Sequence, residues 1–321
     1  MEIWAFIESQ LARNTGVALL YVVESRGSSP GRQGFCMAVA ANGALHGTIG
    51  GGGGGQKRVE TARDMRLKGK KEGLVVKQYH AKNHSPQHAG MICSGEQTLA
   101  LVPLSPGDLA GIRTLGAADT PWLELSPAGI RLIPPEEAAP PLPCFEYRNA
   151  QSWHYVAAPA RRPRIHIIGG GHVSLALSEI MHMLGFYVLV YDDRPGLNTL
   201  AENRFVDKKH LLSYEEIGGR LDAGGEDFVV IMTGGYPTHK LVWGQLLHRR
   251  FRYIGMLGSD EKIRQLYEEL AGEGLDPAAW RHVHAPIGIP IYSKTAREIG
   301  ISIAAEIIRE KNRHLPGGRN V

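Results

Sequence analysis

Gly169, Gly170 and Gly171 stand between a short apolar run, Ile165–Ile168, and a stretch in which Val173, Ala176, Leu177, Ile180 and Leu184 recur at helical spacing. Glycine at a strand-to-helix turn suits phosphate chemistry. Without side chains the backbone can approach an anion, and the unpaired N–H groups that open a helix point at it. Gly185 ends the helix, and Tyr187–Tyr191 forms a second apolar strand closed by Asp192 and Asp193. An acid there can accept from a ribose hydroxyl. Gly169, Gly171 and Asp192 are therefore candidates for nucleotide binding, with Ser174 as the small residue that lets helix and strand pack. The alternative is a tight turn that holds nothing.

Other stretches carry chemistry of a different kind. Gly50–Gly55 are six consecutive glycines after Thr48 and Ile49. His80, His84 and His88 recur every four residues, with Cys93 close behind. On one helix they would line a face and could take zinc. Asn83, Ser85 and Pro86 interrupt any such helix, so the expectation is a polar loop with exposed histidines. Arg26 and Arg32, in ESRGSSPGRQG, are weaker candidates that could pair with a phosphate.

The elements that must position these residues fall into three segments. Residues 1–105 begin with a helix whose apolar face is Ile3, Trp4, Phe6, Ile7 and Leu11. Strands at Val17–Val23, Phe35–Ala40 and Ala44–His46 follow, the last two joined by the Asn42-Gly43 hairpin signal. A helix carrying Val59, Ala62, Met65 and Arg66 comes after the glycines, then strands at Leu74–Tyr79 and Thr98–Val102. Residues 106–162 are rich in proline with broken periodicity, and read as a small hairpin and a linker. Residues 163–321 alternate strands and helices. Phe228–Met232 and Tyr253–Leu257 are further strands, and helices carry Leu241, Val242, Leu246 and Leu247, then Ala296, Ile299, Ile303 and Ile307. This pattern predicts a Rossmann-like parallel sheet beside a smaller N-terminal α+β domain, an α/β fold class overall. Turns at Gly169, Gly234, Gly235 and Gly258 would share the carboxyl edge of the sheet, where ligands sit.

Composition narrows the function classes. The net charge of +4 is too mild to argue for nucleic acid. The three cysteines, Cys36, Cys93 and Cys144, make no disulfide framework, so a reducing, cytoplasmic location is expected. No apolar run is long enough to span a membrane, and the first helix has early acids where a secretory signal would be basic. The 40 glycines are clustered, which suggests close-approach turns.

Several stretches together resemble the XdhC/CoxI family, accessory proteins of bacterial xanthine dehydrogenases and carbon monoxide dehydrogenases. They are GSSPGRQGFCMAV, NGALHGTIGGG and GMICSGEQTLALVPL in the first segment, and IIGGGHVSLAL, VLVYDDRPG, VIMTGGYPTH, YIGMLGSDEK and VHAPIGIPI in the last. The resemblance implies a maturation factor rather than a catalyst. Such a factor would bind the molybdenum cofactor transiently and support its sulfuration by a cysteine desulfurase. It would then insert the cofactor into a xanthine-dehydrogenase-type molybdoenzyme, and dimerisation is expected. It places Cys93 in the family's Cys-x-Gly position, a candidate molybdenum ligand or sulfur carrier, since a thiolate is a soft donor. Cys36 and Cys144 match nothing distinctive. Gly50, Gly51 and Gly52 match the family's Gly-Thr-Ile-Gly-Gly-Gly turn. This chain departs from it in the next residues, where Gly53, Gly54 and Gly55 replace a larger residue and a glutamate. The loop is then either a more open anion cradle or a lost site.

His172 and His284 match family positions and could touch a ligand or hold a turn through a ring nitrogen. On this reading Gly169–Gly171 would hold a nucleotide or phosphate tail while the first domain handles the metal end. Two other readings stand beside it. One is an NAD(P)-dependent oxidoreductase resting on Gly169, Gly171 and Asp192. The other is an interaction adaptor whose glycine turns are empty.

Overall fold

The computed structural model describes residues 2–27, 29, 31–50, 58–64, 72–79, 95–115, 122–134, 143–157, 162–274 and 280–313. The chain forms two compact units, Met1–Arg161 and Arg162–Val321. The first unit opens with α1 (Glu2–Ala12), β1 (Val17–Arg26), β2 (Cys36–Ala40) and β3 (Leu45–Gly47). It continues with α2, helical over 58–64, then β4 (Leu74–Tyr79), β5 (Glu96–Leu104) and α3 (Leu109–Leu115). These strands make an antiparallel sheet ordered β3-β2-β1-β5-β4. The unbroken apolar run of β1 is explained by cover on both faces. Leu19, Tyr21 and Val23 pack with Ile3, Ile7 and Leu11 of α1. Ala18, Leu20 and Val22 pack with Ile49, Val59 and Ala62.

The segment expected to be a hairpin and a linker is more than that. β6 (Trp122–Ser126) and β7 (Gly129–Ile133) form the hairpin. β8 (Cys144–Asn149) and β9 (Ser152–Ala157) add a second one, giving a four-stranded antiparallel sheet ordered β7-β6-β9-β8. Its inward residues Leu123, Leu125, Trp153, Tyr155 and Ala157 share a core with α1 and β1. Physically, then, these residues belong to the first unit. Gly73 marks a close approach: its N–H donates to Pro127 O at 2.8 Å, and a Cβ there would lie 2.8 Å from Ser126 O.

The second unit runs β10 (Arg164–Ile168), α4 (His172–Met183), β11 (Tyr187–Asp192), α5 (Asn198–Ala201), β12 (Lys208–Leu211) and α6 (Ile217–Arg220). It ends with β13 (Phe228–Ile231), α7 (Tyr236–Leu246), β14 (Tyr253–Met256), α8 (Asp260–Gly272) and α9 (Ala296–Asn312). The sheet is parallel, ordered β12-β11-β10-β13-β14. Strand residues alternate between two cores. Ile165, Ile167, Val188, Val190, Phe228 and Val230 face Leu177 and Met181 of α4 and Ile303 and Ile307 of α9. Leu189, Val229, Ile231 and Ile254 face Val242, Trp243 and Leu246 of α7 and Ile263 and Leu266 of α8. Leu241, expected on the inner face of α7, is 40% exposed. The chain order reverses direction between β10 and β13, which makes the crevice above their carboxyl ends the topological switch point of the sheet.

Candidate functional site

The β10–α4 turn is a rigid, internally bonded loop. Gly169 has φ +113, donates its N–H to Tyr191 O at 2.8 Å, and would drive a Cβ to 2.3 Å from Met232 O. Only glycine fits there. Gly170 donates its N–H to Asp192 Oδ2 at 2.6 Å, and its carbonyl accepts from Thr199 Oγ1 at 2.5 Å. Gly171 precedes α4 and meets no atom within 4 Å of a would-be Cβ, so its outer face is open. The first helical bond runs from Leu175 N–H to Gly171 O at 3.0 Å, and the amides of His172, Val173 and Ser174 come before that ladder. Ser174 is fully buried, as a small residue against the strand should be, and His172 is exposed.

Asp192 does not have the role expected of it. The residue ends β11 as predicted, but its carboxylate is fully buried and already surrounded by donors. Oδ1 accepts from Arg194 N–H and Nε, both at 2.9 Å. Oδ2 accepts from Gly170 N–H at 2.6 Å, Arg194 Nη2 at 2.7 Å and Tyr214 OH at 3.2 Å. Burial alone would raise the carboxyl pKa, but the Arg194 and backbone N–H bonds outweigh it and hold the group below its ordinary range. Asp192 therefore fixes the glycine turn and Arg194, and has no oxygen to offer a ribose.

The β13–α7 turn faces the same crevice. Gly235 is extended, and its carbonyl accepts from Thr238 Oγ1 at 2.8 Å and from His239 N–H at 3.0 Å. Gly234 has open space: the nearest atom to a would-be Cβ is Arg194 Nη1 at 4.0 Å. The third turn is different in character. Ser259 caps α8, and Asp260 and Glu261 already put negative charge on its first turn. That disfavours an anion there.

His284 holds a turn. Its N–H donates to Ile254 O at 3.0 Å and its carbonyl accepts from Met256 N–H at 2.9 Å, which lays the segment along β14. The ring stacks on Tyr253 at 4.6 Å, and Nδ1 lies 3.2 Å from Glu306 Oε1. Glu306 also accepts from Tyr253 OH and Gly288 N–H, both at 2.8 Å. Burial pushes its carboxyl up, but His284, Gly288 and Tyr253 together bring it down to about 2.

In the first unit, Gly50 has φ +103 and donates its N–H to Thr48 Oγ1 at 3.2 Å. Buried Gln97 ties the neighbouring loops together. Its Oε1 accepts from Ser29 Oγ at 2.9 Å and Gly31 N–H at 3.1 Å, while Nε2 donates to Ile49 O at 3.3 Å and Gln78 Oε1 at 3.1 Å. Arg26 is exposed and paired with Glu24 at 2.8 Å, and Arg32 is exposed. Cys36 is a poor nucleophile, because burial pushes its thiol up to about 11. Cys93, Gly51 and Gly52, like His80, His84 and His88, lie outside the described residues. Among the described residues no cluster of three His, Cys, Asp or Glu could hold a metal, and no helix is long and apolar enough to cross a membrane.

Residues 10–79 match the model of the XdhC and CoxI family, and residues 165–307 match that of the XdhC Rossmann domain. The chain belongs to the XdhC and CoxI family. Among curated relatives, the uncharacterized protein YqeB of Escherichia coli (strain K12) is 27% identical over 310 residues, 95% of this chain and 45% of that protein. A probable xanthine dehydrogenase subunit of Bacillus subtilis (strain 168) is 27% identical over 152 residues, 47% of this chain and 44% of that protein. The chain thus spans less than half the length of these two relatives. A crystal structure of a xanthine dehydrogenase from Bacillus halodurans has the same fold, with a TM-score of 0.74 over 98% of each chain at 21% identity.

In this XdhC-family chain, the structure brings Gly169, Gly171, His172, Gly234 and Gly235 to one crevice and withdraws Asp192 into the wall beneath it. Two residues of interest are not among those expected from sequence. Arg194 is held by Asp192 at the crevice. Arg58, at the start of the described part of α2, is only 7% exposed, and its Nε has no hydrogen-bond partner. No described acid pairs with it, and burial pushes its pKa down. A signal for Arg194 existed in the acid two residues before it. Nothing in sequence marked Arg58 as buried. The N-terminal family match covers Gly50, Gly51 and Gly52 and stops before Cys93.

Proposed function

We propose that this chain is an accessory factor that binds the molybdenum cofactor, supports its sulfuration by a cysteine desulfurase, and inserts it into a xanthine-dehydrogenase-type enzyme. The observation that carries this reading is family membership in both units, in the right order. The cofactor is cargo here, and its dithiolene-bound metal would supply hydroxylation chemistry to the client enzyme. The residues of the first unit suit an anionic cargo. A buried guanidinium with an orphaned Nε is costly by itself and is relieved by an anion. Gln97 holds the backbones of Gly31 and of Ile49, the residue before Gly50, in place. Cys93 would offer a soft sulfur donor to the metal end. The oxidoreductase reading loses one of its three supporting residues, since Asp192 is bonded to Arg194, Gly170 and Tyr214.

Gel filtration of the purified chain with isolated molybdenum cofactor tests the proposal. Cofactor should co-elute with wild type, and Cys93→Ala should retain markedly less than Cys36→Ala. Folded protein that elutes without cofactor would sink the proposal, and equal retention by the two variants would remove Cys93 from it.

A further inference from the structure

The end of β11 presents a cation to the switch-point crevice where a nucleotide-binding fold of this type usually presents an acceptor. Arg194 forks onto Asp192 through one side of its guanidinium, Nε to Oδ1 at 2.9 Å and Nη2 to Oδ2 at 2.7 Å. A guanidinium carries five N–H donors, so this leaves both protons of Nη1 and the outer proton of Nη2. Nη1 lies 4.0 Å from the Cβ position of Gly234, at the β13 turn. Since β10 lies between β11 and β13, the side chain spans the end of β10. The side chain is 49% exposed while its carboxylate partner is fully buried, so the charge is fixed from below and open above. Asp193, exposed beside it, and Tyr214 are the other titratable groups that bear on it.

We infer that this crevice binds a phosphate monoester, and that Arg194 is the residue that selects phosphate over a ribose diol. A diol needs an acceptor at the end of the second strand. Asp192, the acid that ends β11, can serve only by releasing Arg194, which would strand both charges. A phosphate instead accepts from the free edge of the guanidinium, in the bidentate geometry that arginine favours. Gly171 and Gly234 leave room for it, since neither has a close neighbour at its Cβ position. The inference deepens the proposed function, on which it rests only for the carrier of the phosphate.

Calorimetric titration of the full chain with inorganic phosphate, 5′-CMP, cytidine and NAD tests this. Wild type should bind phosphate and 5′-CMP, with 5′-CMP at least about tenfold tighter than cytidine. Arg194→Gln should remove that preference. Gly234→Leu should do so too with the Arg194–Asp192 pair intact, because the backbone at Gly234 tolerates a side chain; it keeps the test decisive if Arg194→Gln melts early. NAD should bind more weakly than 5′-CMP. No phosphate binding by wild type, equal affinity for cytidine and 5′-CMP, or NAD bound by wild type more tightly than 5′-CMP would overturn the inference. Failure of the molybdenum cofactor to co-elute, with 5′-CMP still bound through Arg194, would count against the proposed function alone.

Discussion

Arg58 is a buried guanidinium whose Nε has no hydrogen-bond partner, and the cost of that is measurable. A buried charge that is incompletely hydrogen-bonded costs folding free energy, and replacing it with an apolar chain of similar length is often stabilising. Arg58→Met should therefore raise the stability of the ligand-free protein by about 1–2 kcal/mol, read as a higher urea midpoint at unchanged slope. A lower midpoint would mean that the guanidinium is satisfied, and would remove Arg58 as an anion anchor. At this scale sequence is a partial guide. It gives the position of Asp192 but not its use, because a carboxylate at the end of a strand looks the same whether it faces a ribose or donors from its own chain. The acid and Arg194 two residues on are local enough to read together. The partners Gly170 and Tyr214 come from distant turns.

At the scale of single elements, β10 combines what periodicity shows with what it hides. The apolar run Ile165–Ile168 is visible as a buried strand, yet His166 in its middle is fully buried on the face it shares with Tyr191. Its Nδ1 lies 3.0 Å from Tyr191 OH, and its Nε2 lies 3.6 Å from Asp227 Oδ2 without a hydrogen bond. Arg164, paired with Asp227 at 2.7 Å, and Asp222 complete the charged surroundings. Burial is the largest cause of its shift and pulls the pKa down to about 4, despite Asp227. The folded state therefore keeps this histidine neutral at pH values where the unfolded chain binds a proton. Stability is full above the ordinary histidine pKa and falls as pH drops toward 4. The expected loss is roughly 2–3 kcal/mol between pH 7.5 and 4.5. Asp192, Asp227 and Glu306 act lower, because their pKa values are depressed and their contribution is lost only as pH falls below the ordinary carboxylate range. His210 and His239 are also pushed down by burial, so the wild-type slope is shared. Urea midpoints across this range should show a shallower slope for His166→Gln than for wild type. An unchanged slope would assign the pH dependence to the other two histidines.

For the whole molecule, the alternation of strands and helices made most of the second unit legible, because β10, β11, β13 and β14 are short, mainly apolar runs; the edge strand β12, Lys-Lys-His-Leu, is mostly exposed and carries no such signal. The first unit was harder to bound. β6 shows alternation, but β8 is mostly exposed and the prolines around it mimic a linker, so the second hairpin has little apolar signature of its own. Its contribution appears only in packing, where Trp153, Tyr155 and Ala157 meet Leu123 and Leu125 over α1 and β1. This gives a test that separates the two boundaries. Each hydrophobic cluster lies wholly within one unit. A fragment of residues 1–161 and one of residues 162–321 should each unfold cooperatively, with near-ultraviolet circular dichroism retained below the transition. A fragment of residues 1–105 lacks Ile112, Leu115, Leu123, Leu125, Trp153, Tyr155 and Ala157 of the first core. At about 1.5–3 kcal/mol for each large side chain, the loss is comparable to the whole stability of a typical domain. That shorter fragment should show no cooperative transition. If it unfolds as sharply as 1–161, the second sheet is an appendage rather than part of the core, and the boundary read at 105 is the physical one.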